Sequence, residues 1–130
     1  MIDKANFEYG FRWFQFTADK GFFLNGKPYK LHGVSRHQDY FMEGNAISLS
    51  QQYHDFKLMK EAGINWVRLA HYQQDDYVLQ LCDELGILVE EEIPWVNKTP
   101  KVAGFEQDLH SMMTDLMVKI IVKYHCRISH

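Results

Sequence analysis

Side chains that could take part in chemistry occur in three short groups along the sequence. The first is Ser35-Arg36-His37-Gln38-Asp39, the second is Arg68 followed by His71-Tyr72, and the third is the run Glu90-Glu91-Glu92. Imidazole, guanidinium and carboxylate groups can transfer protons, orient hydroxyl groups or stabilise charge. Whether these groups can act together depends on the elements that carry them.

Each group comes at or just after a stretch that is predicted to be a β-strand. These stretches run from about Pro28 to Val34, over residues 64–70 and over residues 87–89, and they are rich in apolar and β-branched or aromatic residues. A polar loop from Ser35 to Asn45 follows the first. Residues 87–89 are apolar without a break, as expected for a buried parallel strand.

Helices are predicted between and after these strands. Ser48 is a predicted N-cap and Gly63 a predicted terminator of the first helix, and the second covers about Asp75 to Leu85 before Gly86. A third helix is predicted over about residues 105–124. The apolar spacing predicts buried faces formed by Tyr53, Phe56, Leu58, Met59 and Ala62 on the first helix and by Tyr77, Val78, Leu81, Cys82 and Leu85 on the second.

The N-terminal part favours antiparallel strands. Residues 11–17 alternate in the way a strand does, and residues 22–24 form a second short apolar run. Asn25-Gly26 then predicts a tight hairpin turn, because both residues tolerate positive φ. The predicted order is therefore a hairpin followed by three β-α units.

Alternation of strands and helices predicts a parallel sheet with helical crossovers. No glycine-rich nucleotide-binding motif follows the first strand, so a (β/α)8 barrel is favoured over a nucleotide-binding doubly wound sheet. In such a barrel the active site is built from the carboxyl ends of the strands. The three polar groups would then surround one pocket.

Plainer interpretations exist for each residue taken alone. Arg36 and Asp39 fit a solvated loop pair as well as a site, and an isolated His71 is more often a hydrogen-bonded structural histidine. Glu90 and Glu91 are expected to be exposed, and His32 is expected to pack within its strand. Two cysteines, Cys82 and Cys126, favour buried thiols over a disulfide framework.

The composition limits the classes of partner. The chain is 46% hydrophobic and 24% charged with a net charge of −3, which fits a globular domain and gives no basic excess for nucleic acid. No apolar run approaches the roughly 20 residues that cross a bilayer, so no membrane partner is expected. The first residues lack a secretory signal, which leaves a cytoplasmic or a bacterial periplasmic location open.

Two longer stretches resemble a known enzyme family. They are GFFLNGKPYKLHGVSRHQD at residues 21–39 and GINWVRLAHYQQDDYVLQLCDELGILVEEEIPWVN at residues 63–97. Their combination of LNGKP, GVxRHxD, NxVRxxHY and CDExGIxVxxE is similar to glycoside hydrolase family 2, which contains β-galactosidases, β-glucuronidases and β-mannosidases. The HQD, RLAHYQQ and EEEIPWVN variants are most similar to the bacterial β-galactosidase branch.

The resemblance implies a fold. It implies an α/β chain forming part of a (β/α)8 TIM barrel, about its first three βα units, preceded by a β-hairpin and the last strand of an immunoglobulin-like domain. Residues 1–16 would end that β-sandwich, and residues 17–130 would begin the barrel domain. The open sheet edges would then pair with the remainder of the barrel or with another copy of the chain.

The resemblance also implies a carbohydrate-binding site. His37 corresponds to a strand-1 histidine that contacts sugar hydroxyls, and His71 to a strand-2 histidine that helps hold the sugar ring. Arg68 corresponds to the arginine beside the catalytic nucleophile. Glu92 corresponds to a supporting acidic residue at strand 3, and Asp39 is a weaker candidate for a hydroxyl contact.

Family members are retaining β-glycosidases that act through two glutamates about 5–5.5 Å apart. The acid/base belongs to an Asn-Glu pair, and no such pair occurs in these 130 residues. We therefore expect this chain to lack both the acid/base and the nucleophile, and to be inactive alone. Val96 and Lys98 stand where some relatives bind Mg²⁺ through Glu and His, so neither a metal nor another cofactor is expected.

Two other functions stay open from the sequence. The chain could be a non-catalytic sugar-binding or interaction module that retains the sugar-contacting residues. A metal-dependent barrel hydrolase could use His32, His37, Asp39 and His71 as ligands. The sequence disfavours the latter, because it lacks a His-x-His pair on the first strand.

Overall fold

The computed structural model describes residues 10–92, residue 94 and residues 109–114. Its elements are β1 Phe14–Thr17, β2 Gly21–Leu24, β3 Lys27–Pro28, β4 Gly33–Arg36, α1 Leu49–Glu61, β5 Trp66–Leu69, α2 Asp76–Leu85 and β6 Leu88–Glu91. Residues 109–114 are helical. The remainder of the helix predicted over residues 105–124 lies outside the described residues.

The first three strands form a small antiparallel sheet in the order β1-β2-β3. The turn between β2 and β3 has φ of 49° at Asn25 and 77° at Gly26, which confirms the predicted hairpin. The Asn25 side chain also accepts a hydrogen bond from the Trp13 amide at 3.0 Å. The turn residues therefore hold the segment that precedes β1 as well as closing the hairpin.

The prediction of one strand from about Pro28 to Val34 is wrong, because the chain passes from one sheet to another within it. β3 pairs with β2, whereas β4 begins at Gly33 and pairs in parallel with β5. Between them, Asn65 accepts a hydrogen bond from the His32 amide and donates one to the Lys30 carbonyl. His32 is exposed, so its predicted packing role is also wrong.

β4, β5 and β6 form a parallel sheet in that order, as the βα alternation predicted. Gly33, Trp66 and Leu88 are in register at its amino-terminal edge. β4 extends into the predicted loop to include Arg36, and β6 extends beyond Val89 to Glu91. The polar groups therefore begin on the strands themselves.

The core lies on the face of this sheet that packs against both helices, here called the outer face. Its buried cluster consists of Phe56, Val67, Leu69, Val78, Leu81, Cys82 and Ile87. Burying one such side chain contributes about 1.5–3 kcal/mol. The predicted face of α2 is confirmed, whereas that of α1 is partly wrong, because Tyr53 and Leu58 are 45% and 50% exposed. The polar Gln52 is buried beside Phe56 instead.

Both helices begin and end where the sequence predicted. The Ser48 side chain caps α1 by accepting from the Gln51 amide at 3.2 Å, and Gly63 follows the helix with φ of 80°. Gly86 ends α2 with φ of 64° while the Ile87 amide bonds to the Cys82 carbonyl. Glycines in the left-handed conformation allow the chain to turn directly from the end of each helix into the next strand.

The opposite face of the sheet, the inner face, carries Gly33, Ser35, Trp66, Arg68, Leu88 and Glu90. The indole of Trp66 lies so close to Gly33 that a Cβ there would be 1.8 Å from a ring carbon. Next to it lies a cavity of about 400 Å³, lined by Trp66, Leu88 and aromatic residues of β1 and β2. The hairpin sheet thus faces the amino-terminal half of the inner face. No helix within the described part of the chain is long and apolar enough to span a membrane.

Candidate active site

Four of the five candidate site residues lie close together, beyond the carboxyl ends of the parallel strands. Arg68 is on the inner face of β5, His37 and His71 follow β4 and β5, and Glu92 follows β6. The in-register parallel strands carry these ends to one edge of the sheet. None of them lines the cavity on the amino-terminal half.

Glu92 is the centre of this group because both of its oxygens are occupied. Oε1 accepts a hydrogen bond from Arg68 Nε at 2.6 Å, and Arg68 Nη2 also contacts it. Oε2 accepts from the His71 backbone amide at 2.5 Å and lies 3.1 Å from the His71 ring Nδ1. The Glu92 carboxylate therefore holds the Arg68 guanidinium, the His71 imidazole and the His71 backbone amide in place.

These contacts change the acidity of Glu92. The hydrogen bond from the His71 backbone amide, followed by the hydrogen bond and charge of Arg68, holds the pKa of the Glu92 carboxyl below its ordinary value, against the opposing effect of desolvation. An ionised carboxylate can only accept hydrogen bonds, so His71 Nδ1 is the donor in their contact. In a neutral ring this leaves Nε2 of His71 as an acceptor.

His71 has an unusual backbone conformation. Its φ is 73°, in the left-handed region that non-glycine residues seldom occupy and that costs of the order of 1–3 kcal/mol. The Glu92 carboxylate accepts from its amide in this conformation. The His71 ring packs edge-on against His37, with 4.9 Å between ring centroids and 67° between planes. The two imidazoles are thus adjacent although 34 residues separate them.

Asp39 is not part of this group. It is exposed in the loop after β4, and within the described residues no hydrogen bond or ion pair joins it to the other four. Glu90 is exposed as expected, whereas Glu91 is half-buried on the outer face.

The interpretation of Arg36 as half of a solvated pair is wrong. Arg36 is 5% exposed and lies on the outer face, in register with Leu69. Its guanidinium is over the Phe56 ring, 5.2 Å from the centroid, and 3.8 Å from the Asp55 carboxylate. Burial lowers the pKa of Arg36, although Asp55 opposes the shift. Alternation along β4 separates it from His37, which is exposed.

Sequence reasoning placed Ser35 and Tyr72 in its polar groups without a role and did not single out Gln74, yet all three contact the site or its loops. Ser35 Oγ lies 3.4 Å from Arg68 Nη1, and the two positions are paired across β4 and β5. The Tyr72 hydroxyl accepts from the Gln38 amide at 3.0 Å, and Gln74 is buried against Arg36. The regular strand alternation could have indicated Ser35, but no local pattern predicts the contacts of Tyr72 and Gln74.

Within the described residues, no group of three or more His, Cys, Asp or Glu side chains is arranged to hold a metal ion. The four ligands required by a metal-dependent hydrolase therefore do not form such a group. Cys82 is buried, and burial raises the pKa of its thiol to about 12. A protonated buried thiol is a packing residue and a poor nucleophile. Cys126 lies outside the described residues.

The fold and the site together define a class of protein. Parallel β-α units, with polar side chains gathered beyond the carboxyl ends of the strands, are the architecture of TIM-barrel enzymes. Residues 16–118 match the family described as glycosyl hydrolases family 2, TIM barrel domain. The chain belongs to glycoside hydrolase family 2.

Individual relatives agree with this assignment. A β-glucuronidase of Bacteroides fragilis is 47% identical over 96 residues, which are 74% of this chain and 14% of the relative. A β-galactosidase of Thermoanaerobacterium thermosulfurigenes is 43% identical over 118 residues, 86% of this chain and 16% of the relative. The chain thus spans about one-seventh of the length of the relatives it matches.

A solved structure shows the same backbone arrangement. Bacteroides uniformis β-glucuronidase 2, covalently bound to cyclophellitol-6-carboxylate aziridine, superposes with a TM-score of 0.73 at 49% identity. The match covers 80% of this chain and 12% of that protein. Both β-glucuronidases and β-galactosidases therefore resemble this chain. These matches do not favour the predicted β-galactosidase branch over the β-glucuronidases.

Proposed function

We propose that this chain supplies part of the sugar-binding pocket of a retaining β-glycosidase that hydrolyses O-glycosidic bonds. The observation that carries the proposal is the Arg68–Glu92–His71 cluster with His37 beside it, at the catalytic end of a family 2 barrel segment. Hydroxyl-rich sugars are held by such mixed donors and acceptors. The acid/base and nucleophile glutamates come from outside these 130 residues.

Each side chain has a proposed role in that pocket. Arg68 presents positive charge at the strand end, where it stabilises an adjacent carboxylate in its ionised form. His37 and His71 bind sugar hydroxyls, with His71 oriented by Glu92. Glu92 is a supporting residue, because both of its oxygens are already engaged. Asp39 remains a proposed hydroxyl contact from the exposed loop.

We infer a β-glucuronide as the first substrate to test and a β-galactoside as the second. The relatives with 47% and 49% identity reported above are named β-glucuronidases, and one was solved covalently bound to cyclophellitol-6-carboxylate aziridine. The β-galactosidase relative is 43% identical over a longer stretch. The sequence variants HQD, RLAHYQQ and EEEIPWVN support the galactoside.

The test transfers the segment into an enzyme that contains the missing residues. Residues 16–92 of this chain replace the corresponding segment of the Bacteroides uniformis enzyme, and turnover of nitrophenyl β-glucuronide and β-galactoside is measured. We expect the chimera to hydrolyse a β-glycoside. His71→Ala and Arg68→Ala should each lower kcat/KM by about 100-fold or more, as misplacement of reacting groups does.

The matched control is Lys57→Ala, on the exposed side of α1 and remote from the site, which should leave turnover unchanged. A folded chimera that hydrolyses neither substrate, or one that is indifferent to loss of both His71 and Arg68, would contradict the proposal. The chain alone should release no nitrophenol. Turnover by the purified chain would show that it contains its own catalytic groups, and binding without turnover by the chimera would favour a sugar-binding module.

We further propose that residues 1–16 end a preceding immunoglobulin-like sandwich and that the edges of the parallel sheet are completed by other strands. Within the described residues, β4 and β6 each pair with β5 alone. Unpaired edges and the apolar cavity beside Trp66 favour association. Sedimentation of the isolated chain should show concentration-dependent self-association; a monomer with a cooperative melt at high temperature would contradict this.

A further inference from the structure

A second hydrogen-bond network lies directly behind the candidate site. It joins the end of β4 and the loop that follows it, here called the first loop, to the loop that follows β5, here called the second loop. Arg36 Nη1 donates to Gln74 Oε1, and Gln74 Nε2 donates to the Arg36 carbonyl at 2.7 Å. The two residues are 5% and 6% exposed. Each therefore both donates to and accepts from the other, across 38 residues of sequence, in a place closed to water.

This pair is a costly way to fill a core. Although Arg36 Nη2 lies 3.8 Å from Asp55, neither Nε nor Nη2 has a hydrogen-bond acceptor within the described chain. A buried cation with incomplete partners is often less stabilising than apolar side chains of similar volume. Stability alone thus does not account for an arginine at this position.

A second pair of contacts involves Gln38, two residues after Arg36, and residues Tyr72 and Asp75 on either side of Gln74. The Gln38 amide donates to the Tyr72 hydroxyl at 3.0 Å, and Gln38 Oε1 accepts from the Asp75 amide at 2.5 Å. Asp75 is the N-cap of α2, so this contact ties the first loop to the start of a helix. The two loops are consequently fastened at successive positions on their outer side.

The residues that form hydrogen bonds between the two loops lie immediately before and after each of the two histidines. His37 lies between Arg36 and Gln38, both of which bind the second loop. His71 lies between Ala70, whose amide bonds to the Arg36 carbonyl at 2.9 Å, and Tyr72. Each histidine is thus flanked on both sides by residues fixed to the opposite loop. The left-handed backbone at His71 needs such support, because a costly conformation persists only when its surroundings hold it.

We propose that Arg36, Gln38, Tyr72 and Gln74, here called the loop latch, are positioning residues that set the separation and orientation of His37 and His71. They lie behind the histidines and act through the backbone. The latch is a property of the described fold, and its consequence for sugar hydrolysis rests on the proposed function. No latch residue needs to contact the sugar.

The decisive experiment separates positioning from stability. In the double variant R36M/Q74L, apolar side chains replace both buried partners, and the carbonyl of residue 36 keeps the Ala70 amide as its donor, so the change leaves neither side of the pair without its partner. We expect an unfolding midpoint equal to or above that of the unaltered chain. Nuclear Overhauser contacts between the His37 and His71 rings should nevertheless weaken at least twofold, and both imidazole signals should shift. His54, exposed on α1, is the internal reference and should not change.

Two further variants keep the test decisive if the double variant does not fold. Tyr72→Phe removes one hydroxyl and should shift the His37 and His71 signals by a smaller amount. Leu81→Ala removes a buried α2 side chain outside the latch, and should lower the unfolding midpoint without moving either histidine. Equal histidine shifts in Leu81→Ala and the latch variants, or unchanged ring contacts in all of them, would overturn the proposal.

The same variants in the chimera link the latch to turnover. R36M/Q74L should lower kcat by about tenfold or more with little change in KM, since a misplaced histidine affects the transition state more than ground-state binding. Leu81→Ala should leave kcat unchanged below its melting temperature. A chimera that is inactive before any latch substitution would refute the proposed function, whereas the histidine spectra of the chain would still decide the latch.

Discussion

The two faces of the parallel sheet are built from alternate residues of the same strands, yet toward the carboxyl ends of the strands their chemistry is opposite. On the outer face, Val67 and Leu69 are completely buried against the helices. On the inner face, Arg68 between them is half-buried and binds Glu92. A shift of one residue in any strand would exchange the two sets. The core and the site therefore depend on the same strand register.

Two charged residues, Arg36 and the half-buried Glu91, lie on the outer face, and Arg36 is the more informative exception. Arg36 is a charged residue on the apolar face. It lies where the outer face meets the loops that carry the histidines. The buried Arg36 and its partner Gln74 therefore separate the core from the site. The outer face supplies stability over most of its area and positions the site at this end.

The largest expected effect comes from the outer face. Leu69→Ala removes a completely buried side chain, and such substitutions cost about 2–5 kcal/mol. Urea unfolding should show this loss in the free energy of unfolding. Ser35→Ala, one strand away on the inner face and exposed, is the matched control and should change it by about 0.5 kcal/mol or less. Equal losses would remove the distinction between the faces.

A smaller effect is expected at the amino-terminal edge of the inner face. Gly33→Ala places a Cβ against the Trp66 ring, where 1.8 Å is too short for two carbons, and overpacking of this kind costs about 1–3 kcal/mol. Thermal unfolding measures the change. The double variant G33A/W66L should recover part of the loss. Failure of the smaller side chain at 66 to help would mean that the indole is not what excludes a methyl group.

The carboxyl end of the inner face should make the free energy of unfolding depend on pH. Because the pKa of Glu92 is lowered in the folded chain, its ionised form stabilises the fold above the ordinary glutamate pKa of about 4.3, and this stabilisation is lost as the pH falls through the folded value. Unfolding by urea at pH 7 and pH 3 measures the loss. Glu92→Gln should lose less stability than the unaltered chain over this interval.

Glu61→Gln is the control for that measurement, since its carboxylate is exposed at the end of α1. It should retain the pH dependence of the unaltered chain. If Glu92→Gln and Glu61→Gln behave alike, the contacts of Glu92 with His71 and Arg68 contribute nothing to the acid sensitivity.

The smallest effect is expected away from both faces. Lys57 Nζ lies 3.9 Å from Glu61 on the exposed side of α1, and surface pairs of this kind contribute about 0.5 kcal/mol or less. Lys57→Ala should change the free energy of unfolding by no more than that, and less in high salt. A loss above about 1 kcal/mol would show that the exposed side of α1 contributes more than the comparison allows.

Much of the architecture was readable from the sequence because its signals are local. Asn25-Gly26, Ser48, Gly63 and Gly86 define turns and helix ends through their own backbone preferences. Alternation between strands and helices predicted the parallel sheet. The positions of Arg68 near the end of one strand and of Glu92 after the next then predicted that they would meet, since parallel strands bring their carboxyl ends together.

The errors arose where a residue's surroundings are distant in sequence. The stretch from Pro28 to Val34 has the composition of one strand, but its two ends pair with different sheets. Tyr53 and Leu58 fit an apolar helix stripe, yet Phe56 and Gln52 are the residues that α1 buries completely. Helical spacing gives the existence of a face and does not give its direction relative to the neighbouring elements.

The sequence by itself determined the turns, the helix ends, the order of elements and the gathering of Arg68, His71 and Glu92 at one end of the sheet. Only the tertiary structure decided that Asp39 stays apart, that Arg36 turns to the outer face and that Gln74 closes around it. Local backbone preferences are properties of a few neighbouring residues. The partner of a buried polar group depends on which loops the folded sheet brings together, and no short pattern records that.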